Sequence, residues 1–442
     1  MSTTQPVTTF GNAWAVAIAL AGVVSVISQP ARALPSFARQ TGEPCAACHV
    51  GAFGPQLTQH GREFKLNGYV WNDGSDNVPI AAMVQSSITR TNADQPGATP
   101  HFGPNDNAAI DQISLFYGGR LTDHAGAFIQ GTYDGIGRGF TWDNLDIRYA
   151  GTVALWGSRL LYGATINNSP TVQDVWNSTP AWGFPFAASN LAPTPAAGTL
   201  IDGGLAQQVI GGGGYLLWND LLYVEADIYS GLGRDVRNSL GVVPVSGSNS
   251  VDGSFPYWRV ALQHNFGNHY LELGTFGLST RIFPGGDKSA GRADHIDDWA
   301  IDASYLYSGD PDNTVTGYVT YIRERQSLDA SARLLGTNAS DTLTTFRING
   351  SYSYQNTFTF SGQRFQTVGS ADAALFGGNG SPNSAGWVAE IAYVPGGKLD
   401  SWFPTWVNAR LSLQYTAYTE FDGESRNASD NDSIFALLWL AF

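Results

Sequence analysis

The segment "LLYVEADIYSG", residues 221–231, decides the fold because its apolar and polar side chains alternate with a period of two. One face of such a strand carries Leu222, Val224, Ala226 and Ile228, and the other carries Tyr223, Glu225, Asp227 and Tyr229. This period is typical of a β-strand whose two faces meet different surroundings. A soluble β-sandwich alternates in the same way, so the pattern alone leaves the solvent of the apolar face open.

The connections between the strands indicate that solvent. About sixteen segments after Val78 read as strands, and long and short loops alternate strictly between them. Long polar loops are expected near 92–108, 168–202, 231–254, 281–295, 326–341, 367–384 and 420–431, with a shorter one near 135–140. Tight connections are expected at 123–124, 156–157, 219–220, 267–268, 310–312 and 355–356, with a longer one around 395–404. This sorting is typical of bacterial outer-membrane proteins, so we expect an all-β, transmembrane antiparallel β-barrel of about 16 strands over residues 79–442.

The end of the chain and its charge support this interpretation. The segment "SIFALLWLAF", residues 433–442, ends on Phe442 in the apolar register, which resembles the insertion signal of bacterial outer-membrane proteins. An even strand number would leave both mature termini on the periplasmic, short-turn side of the outer membrane. The net charge of −14 argues against a nucleic-acid partner and is compatible with handling cations.

The first 33 residues are typical of an export signal. The apolar run "AWAVAIALAGVVSVI" is followed by Ala31-Arg32-Ala33, a small-x-small cleavage pattern. No Lys or Arg precedes the run, and about fifteen apolar residues are short for a membrane-spanning helix of about twenty. We expect a cleaved signal peptide over 1–33, a short helical segment over 34–78, and then the barrel.

The helical segment contains "CAACH", residues 45–49, and both cysteines of the chain. A CxxC pair followed directly by His is the attachment pattern of c-type haem, in which two thiols add to one porphyrin edge and the imidazole binds the iron. A disulfide needs no His, and a zinc site would need two further ligands at comparable spacing, for which no second CxxC exists. We therefore expect one covalent haem c held by Cys45 and Cys48, with His49 as proximal ligand.

Two residues are candidates for the distal haem ligand. Met83, in "PIAAMVQSSITR", would point into the barrel if Ile80, Ala82, Val84 and Ile88 face lipid. Thioether and imidazole are the usual sixth ligands of such haems. The alternative role for Met83 is an apolar filler against the helical segment, and His60 is the rival ligand. About forty-five mature residues precede the first strand, too few to bury a haem alone, so we expect the haem peptide in or at the mouth of the lumen.

The stretch "FARQTGEPCAACHVGAFGPQLTQHGREFKLNGY", residues 37–69, followed by a porin-like remainder ending in Phe, resembles the fused outer-membrane monohaem cytochrome-porins of bacteria. The resemblance is specific over this stretch and architectural over the barrel. It implies electron transfer across the outer membrane, and iron(II):cytochrome c oxidoreductase-type activity is associated with the best-known members. Cys45, Cys48 and His49 match the haem motif of the family.

The function expected from sequence is single-electron transfer from an extracellular donor, such as iron(II), to a periplasmic cytochrome or cupredoxin. Acidic side chains in the expected outer loops would concentrate cations, or would simply be solvated. Two alternatives stay open: a passive or redox-gated porin with a structural haem plug, and a haem enzyme or sensor with an open sixth position. Because porins are commonly trimers, a homotrimer in outer-membrane lipid is one assembly left open.

Overall fold

The computed structural model describes residues 35–71, 78–97, 99–242, 249–310, 312–398, 401–403 and 407–442. The expected signal peptide, residues 1–33, lies outside the described residues. The boundary expected near residue 78 falls beside 72–77, which are also outside them.

Sixteen antiparallel strands form one closed barrel, which confirms the expected fold class. The strands are β1 (Ile80–Thr91), β2 (Asn107–Arg120), β3 (Ala125–Asp134), β4 (Gly139–Leu155), β5 (Ser158–Asn167), β6 (Val209–Trp218), β7 (Leu222–Gly231), β8 (Ser254–Phe266), β9 (His269–Phe283), β10 (Asp294–Asp310), β11 (Asn313–Ser327), β12 (Ser340–Tyr354), β13 (Phe358–Gly369), β14 (Ser384–Tyr393), β15 (Asn408–Glu420) and β16 (Ser433–Ala441). A further two-residue strand, Ser250–Val251, pairs with the end of β9.

The barrel closes where β1 pairs with β16. Their register runs from Met83 opposite Ala441 to Thr91 opposite Ser433. Beyond it, the backbone N–H of Phe442 donates to the carbonyl of Ala82 at 2.8 Å. Closure gives every strand two partners, which removes the unpaired edges that a sheet cannot expose to lipid.

Long and short loops alternate around the barrel as expected. One end, the short-turn rim, is formed by 121–124, 156–157, 219–221, 267–268 and 355–357, together with the longer connection between β14 and β15. The opposite end, the long-loop rim, carries 92–97, 99–106, 232–242, 249–253, 284–293, 328–339, 370–383 and 421–432. It also carries the short helices α4 (Arg234–Ser239), α5 (Asp329–Leu334) and α6 (Ala373–Phe376). The plug described below joins β1 at the short-turn rim, where β16 also ends.

The side chains on the two barrel faces are arranged inversely to those of a soluble protein. In β7, Ile228 is 57% exposed, whereas Glu225 and Asp227 on the opposite face are buried. Further exposed apolar side chains ring the barrel, including Leu273, Ile301, Phe360 and Leu413. A band of exposed apolar side chains around a polar interior is the arrangement of a barrel that crosses a membrane. None of the helices among the described residues is long and apolar enough to span a bilayer.

The helical segment before the first strand fills part of the barrel interior. Three helices, α1 (Pro35–Thr41), α2 (Cys45–Cys48) and α3 (Gln59–Leu66), and the 3-10 turn Val50–Ala52 form this segment. We call residues 35–71 the plug. Its side chains and carbonyl groups bond to inward-facing residues of several strands, so the expected position of the haem peptide in the lumen is confirmed for the peptide itself.

The loop between β5 and β6 differs from expectation. Residues 168–202 were expected to form a long outer loop, but residues 168–208 fold into the lumen, where Val172, Val175 and Trp176 are buried. The indole N–H of Trp176 donates to the hydroxyl of Tyr270 on β9 at 2.7 Å. We call residues 168–208 the inserted loop. Loop length and polarity predicted the rim correctly, but the position of the loop depends on partners that lie on distant strands.

The barrel predicts a specific sensitivity to charge on its outer face. Ile301 is the eighth residue of the seventeen-residue strand β10 and is 42% exposed. Replacing Ile301 with Arg should destabilise the protein in a bilayer by about 2–4 kcal/mol, because an arginine near the midplane is poorly solvated by lipid. Urea titration of the protein folded in phospholipid vesicles measures this difference, with Ile301→Leu as the control. Equal stability of the Arg and Leu variants would contradict the placement of this face in lipid.

Candidate functional site

The CxxC turn and helix α3 are packed tightly against each other. Thr58 caps α3 by accepting a hydrogen bond from the N–H of Gly61 at 3.2 Å, and its own N–H donates to the carbonyl of Cys48 at 2.9 Å. Its hydroxyl donates to the carbonyl of Ala47 at 2.5 Å. A Cβ atom on Gly61 would lie 2.2 Å from the Cys48 carbonyl oxygen, so only glycine allows this approach.

A short hairpin carries His49 away from the CxxC turn and ties it to the barrel wall. His49 pairs with Leu57, and the N–H of Val50 donates to the carbonyl of Gln56 at 3.0 Å. The side-chain amide of Gln56 donates to Thr316 at 2.7 Å and to Tyr318 at 3.0 Å on β11. The hairpin is therefore positioned by the wall as well as by its own backbone.

A cavity of about 410 Å³ separates the plug, the wall and the inserted loop. It falls within the range of cavities that hold organic cofactors. The plug contributes Cys48, His49, Phe53 and Phe64; the wall contributes Met83, Phe116, Phe128 and Trp439; the inserted loop contributes Asn177, Trp182 and Phe186. The wall residues belong to β1, β2, β3 and β16, near the ends of these strands at the short-turn rim. The cavity is thus an aromatic-lined space at the short-turn end of the lumen.

His49 has the properties required of a metal-binding imidazole. It borders the cavity, and its Nδ1 atom is buried. Burial lowers the pKa of His49 to about 4, and the backbone of Gln56 and Gly54 has a smaller opposite effect. The imidazole is therefore neutral near neutral pH, which is the form that binds a metal. Nearby backbone groups are the usual partners that orient the second nitrogen of a metal-binding histidine.

Cys45 and Cys48 lie on one helical turn but have different surroundings. The sulfur of Cys45 accepts a hydrogen bond from the side-chain amide of Asn408 on β15 at 3.1 Å. Cys48 borders the cavity, and burial, followed by the charge of Glu43 and the neighbouring Cys45, raises the pKa of its thiol to about 12. The two cysteines are not joined by a disulfide. Cys48 lines the cavity and Cys45 lies one helical turn away against Ala52 and Phe53, a spacing of two thiols that fits attachment to one porphyrin edge.

The two candidates for the distal ligand occupy different places. Met83 is buried, faces inward from β1 and borders the cavity together with His49. His60 does not border that cavity; its Nε2 atom lies 2.5 Å from Glu43 Oε2, and its ring packs against Trp71 at 4.5 Å. The structure therefore brings Met83, and not His60, to the cavity that His49 borders.

A clamp that sequence reasoning did not find holds the plug and the inserted loop together. Arg148 on β4 donates to both carboxylate oxygens of Asp146, at 3.1 and 2.9 Å, and contacts the carbonyls of Lys65 in the plug and Gln173 in the inserted loop. The same Asp146 carboxylate accepts a hydrogen bond from the hydroxyl of Tyr69 at 2.6 Å. No local motif marks such a cluster, because its members come from three distant segments.

Sequence reasoning also did not find that aromatic residues of the inserted loop line the cavity. The stretch "PAWGFPF", residues 180–186, is apolar and aromatic although it lies in a segment expected to be a solvated loop. Trp182 packs against Phe128 of the wall at 6.1 Å and lies 5.0 Å from the Lys65 ammonium. An apolar aromatic cluster within a long loop was the available sequence signal for insertion.

The close contact at Gly61 predicts a local effect of substitution. Gly61→Ala should loosen the plug by about 1–3 kcal/mol, because the added methyl group collides with the Cys48 carbonyl, while the barrel remains folded. Trypsin cleavage after Arg62 and Lys65 in detergent measures the exposure of the plug. Gly317→Ala is the control, since a Cβ there meets no atom within 4 Å. Identical cleavage rates in both variants would contradict the packing of α3 on the CxxC turn.

Comparison with known proteins places the chain in no family. No family model and no curated protein matches it. Among solved structures, the outer membrane channel DcaP of Acinetobacter baumannii is 10% identical, with 85% of this chain and 99% of that chain covered and a TM-score of 0.46. A loop-deletion mutant of OmpT from Vibrio cholerae is 10% identical, with 82% and 97% covered and a TM-score of 0.43. An anion-selective porin from Comamonas acidovorans is 13% identical, with 82% and 98% covered and a TM-score of 0.42.

Proposed function

We propose that this chain is an outer-membrane electron-transfer protein, which holds one haem c through thioether bonds to Cys45 and Cys48. His49 would bind the haem iron as proximal ligand, and Met83 would be the distal ligand. The observation that carries this proposal is the convergence of the CxxCH segment and Met83 on one aromatic-lined cavity inside a closed barrel. The haem, when bound, supplies reversible one-electron chemistry of its iron.

The chain's own residues would set the conditions for that chemistry. His49 is held neutral by burial, and Phe53, Phe64 and Phe116 keep the cavity apolar. A methionine thioether as distal ligand raises the reduction potential of the haem relative to a histidine ligand. The haem could then accept an electron from a donor whose own reduction potential is high. The plug and the inserted loop both border the cavity and narrow the access of water to it.

The position of the cavity favours a periplasmic partner for the haem. It lies near the short-turn rim, which in outer-membrane barrels faces the periplasm, and both the plug and Phe442 are at that rim. Met83 is eight residues from Thr91 at the long-loop end of β1, about 26 Å along the strand. A periplasmic cytochrome or cupredoxin would therefore have the shorter approach. An external donor has to enter the lumen to come equally close.

Carboxyl groups outnumber arginines among the buried residues of the described strands, which is compatible with a cationic donor. Eleven buried carboxylates lie on the described strands: Asp111, Asp146, Glu225, Asp227, Glu272, Asp294, Asp298, Asp302, Glu324, Asp341 and Glu390. Only three buried arginines lie on the same strands: Arg148, Arg259 and Arg410. An excess of one charge sign in a cleft with low-dielectric walls raises the local concentration of the opposite ion. We therefore propose a small soluble cation such as iron(II) as donor, in preference to a solid mineral.

The proposal is tested with the purified protein in sealed vesicles, oriented with the long-loop rim outward. Iron(II) that cannot cross the membrane should reduce the haem when added outside, and iron(II) bound to a polymer too large for the lumen should not. If only reductants placed inside the vesicles reduce the haem, electron entry from the long-loop side is wrong. If both external forms reduce it equally, the donor does not need to enter the lumen.

Met83 makes a separate spectroscopic prediction. Met83→Ala should abolish the weak far-red absorption that a methionine-to-iron bond gives to the oxidised haem, and should lower the reduction potential. The matched control is Met83→His, which offers a ligand but no thioether and should also lack the band. His60→Ala should leave the band unchanged. An unaltered oxidised spectrum of Met83→Ala would remove Met83 from the site.

A redox-gated or passive porin is the competing function. The barrel is porin-like, and the cavity itself shows that the plug does not fill the lumen completely. Bonds from the wall to the plug, such as that from Tyr215 to the carbonyl of Leu66 at 2.7 Å, oppose solute flow. Single-channel recordings in planar bilayers decide between the functions: the electron-transfer protein predicts no stable open level in either redox state, and a porin predicts steady conductance.

A further inference from the structure

Three side chains of the plug come together beside the CxxC turn, and two of them, Glu43 and His60, have no role in the proposed function. The ligand atoms of Glu43, Cys48 and His60 all lie within 4.8 Å of one another. The side chains of Glu43 and His60 are 32% and 34% exposed, so an ion can reach them. One sulfur, one nitrogen and one carboxylate oxygen are a donor set that zinc(II) and cobalt(II) accept.

The group is held by the fold of the plug. His60 lies on the first turn of α3, whose register against Cys48 is fixed by the Thr58 cap and by the close approach at Gly61. The ring of His60 is supported by Trp71, and the backbone N–H of Glu43 is bound by the hydroxyl of Thr41 at 3.2 Å. Ligands held in place by packing and hydrogen bonds are what distinguishes a metal site from a chance cluster.

We propose that the folded chain without haem binds one divalent zinc-type cation through Cys48 Sγ, His60 Nε2 and a carboxylate oxygen of Glu43, with water as the fourth ligand. The sequence offered no second CxxC motif for such a site. The structure supplies the missing ligands from Glu43, two residues before the motif, and from His60, eleven residues after it. This inference does not rest on haem attachment.

Charge and proton balance favour the cation. Binding releases the thiol proton of Cys48 to solvent, the His60 imidazole binds through a deprotonated Nε2, and the thiolate and the Glu43 carboxylate together neutralise the two charges of the ion. The short His60–Glu43 contact is replaced by two bonds to the same ion.

Haem attachment and metal binding at this site exclude each other. The sulfur of a thioether carries no negative charge, so a haem-linked Cys48 leaves only Glu43 and His60 as donors. A Cys48 thiolate that is bound to metal also cannot form a disulfide with Cys45. The metal-bound chain would therefore be a protected form of the haem-free protein.

The test uses the full mature chain, isolated without haem from cells that lack the haem-attachment machinery, and folded in detergent. Cobalt(II) should bind with one equivalent per chain and give the near-ultraviolet absorption of a single thiolate-to-cobalt bond, and zinc(II) should displace it. Cys48→Ser and His60→Ala should each lose this absorption. The haem-attached protein should show none.

Cys45→Ser is the matched control, because it removes the other thiol of the same turn and should keep full cobalt binding. Heat-dependent mobility on a detergent gel establishes that each variant has a folded barrel. Loss of binding in Cys45→Ser would assign the ion to the CxxC pair and overturn the proposal. Binding that survives Cys48→Ser, or no binding by the folded haem-free chain, would also overturn it. None of these outcomes bears on haem attachment.

Discussion

The pairing of β1 with β16 is the constraint on which the rest of the structure depends. It closes the sheet, and it fixes the register of the strand that immediately follows the plug. With Ile80 and Ile88 outside, the two-residue period of β1 turns Met83 inward, where it packs with Ala81 and Phe116 and against Trp439 of the closing strand. A shift of one residue in this register would turn Met83 into lipid.

The closed barrel encloses a lumen, and the plug fills part of it. A lumen of this width must be filled by water or by other chain segments, and here both the plug and the inserted loop enter it. Arg148 and Asp146 join them to the wall, and Lys65 of the plug donates to the carbonyls of Val172 and Asp174 at 2.8 Å. Each such bond contributes on the order of 1 kcal/mol, but leaving one partner buried and unpaired costs more. The plug, the loop and the wall therefore stabilise one another.

The features that sequence predicted depend on local periodicity or on a contiguous motif. The alternation in 221–231, the alternating loop lengths and the apolar face ending at Phe442 led to the barrel. The inward orientation of Met83 followed from the same two-residue period. The motif at Cys45, Cys48 and His49 predicts the proximal side of a haem site, and this remains a prediction.

Features that depend on distant contacts were not accessible from sequence. Insertion of 168–208 into the lumen depends on wall residues such as Tyr270, and the clamp at Arg148 on three separate segments. The position of His60 beside Glu43, away from the cavity, depends on how α3 packs through Gly61. Spacing along the chain made His60 a plausible distal ligand, but only the packing shows which neighbour its Nε2 atom meets.

The proposed function requires a covalent haem on the CxxCH segment within the folded barrel. The most direct measurement is mass spectrometry of the peptide that contains Cys45, Cys48 and His49, taken from protein extracted from the outer membrane of cells able to attach haem. If haem c is attached, this peptide carries the mass of one haem and has no free thiol. A folded barrel whose peptide carries two unmodified thiols or a disulfide would contradict it.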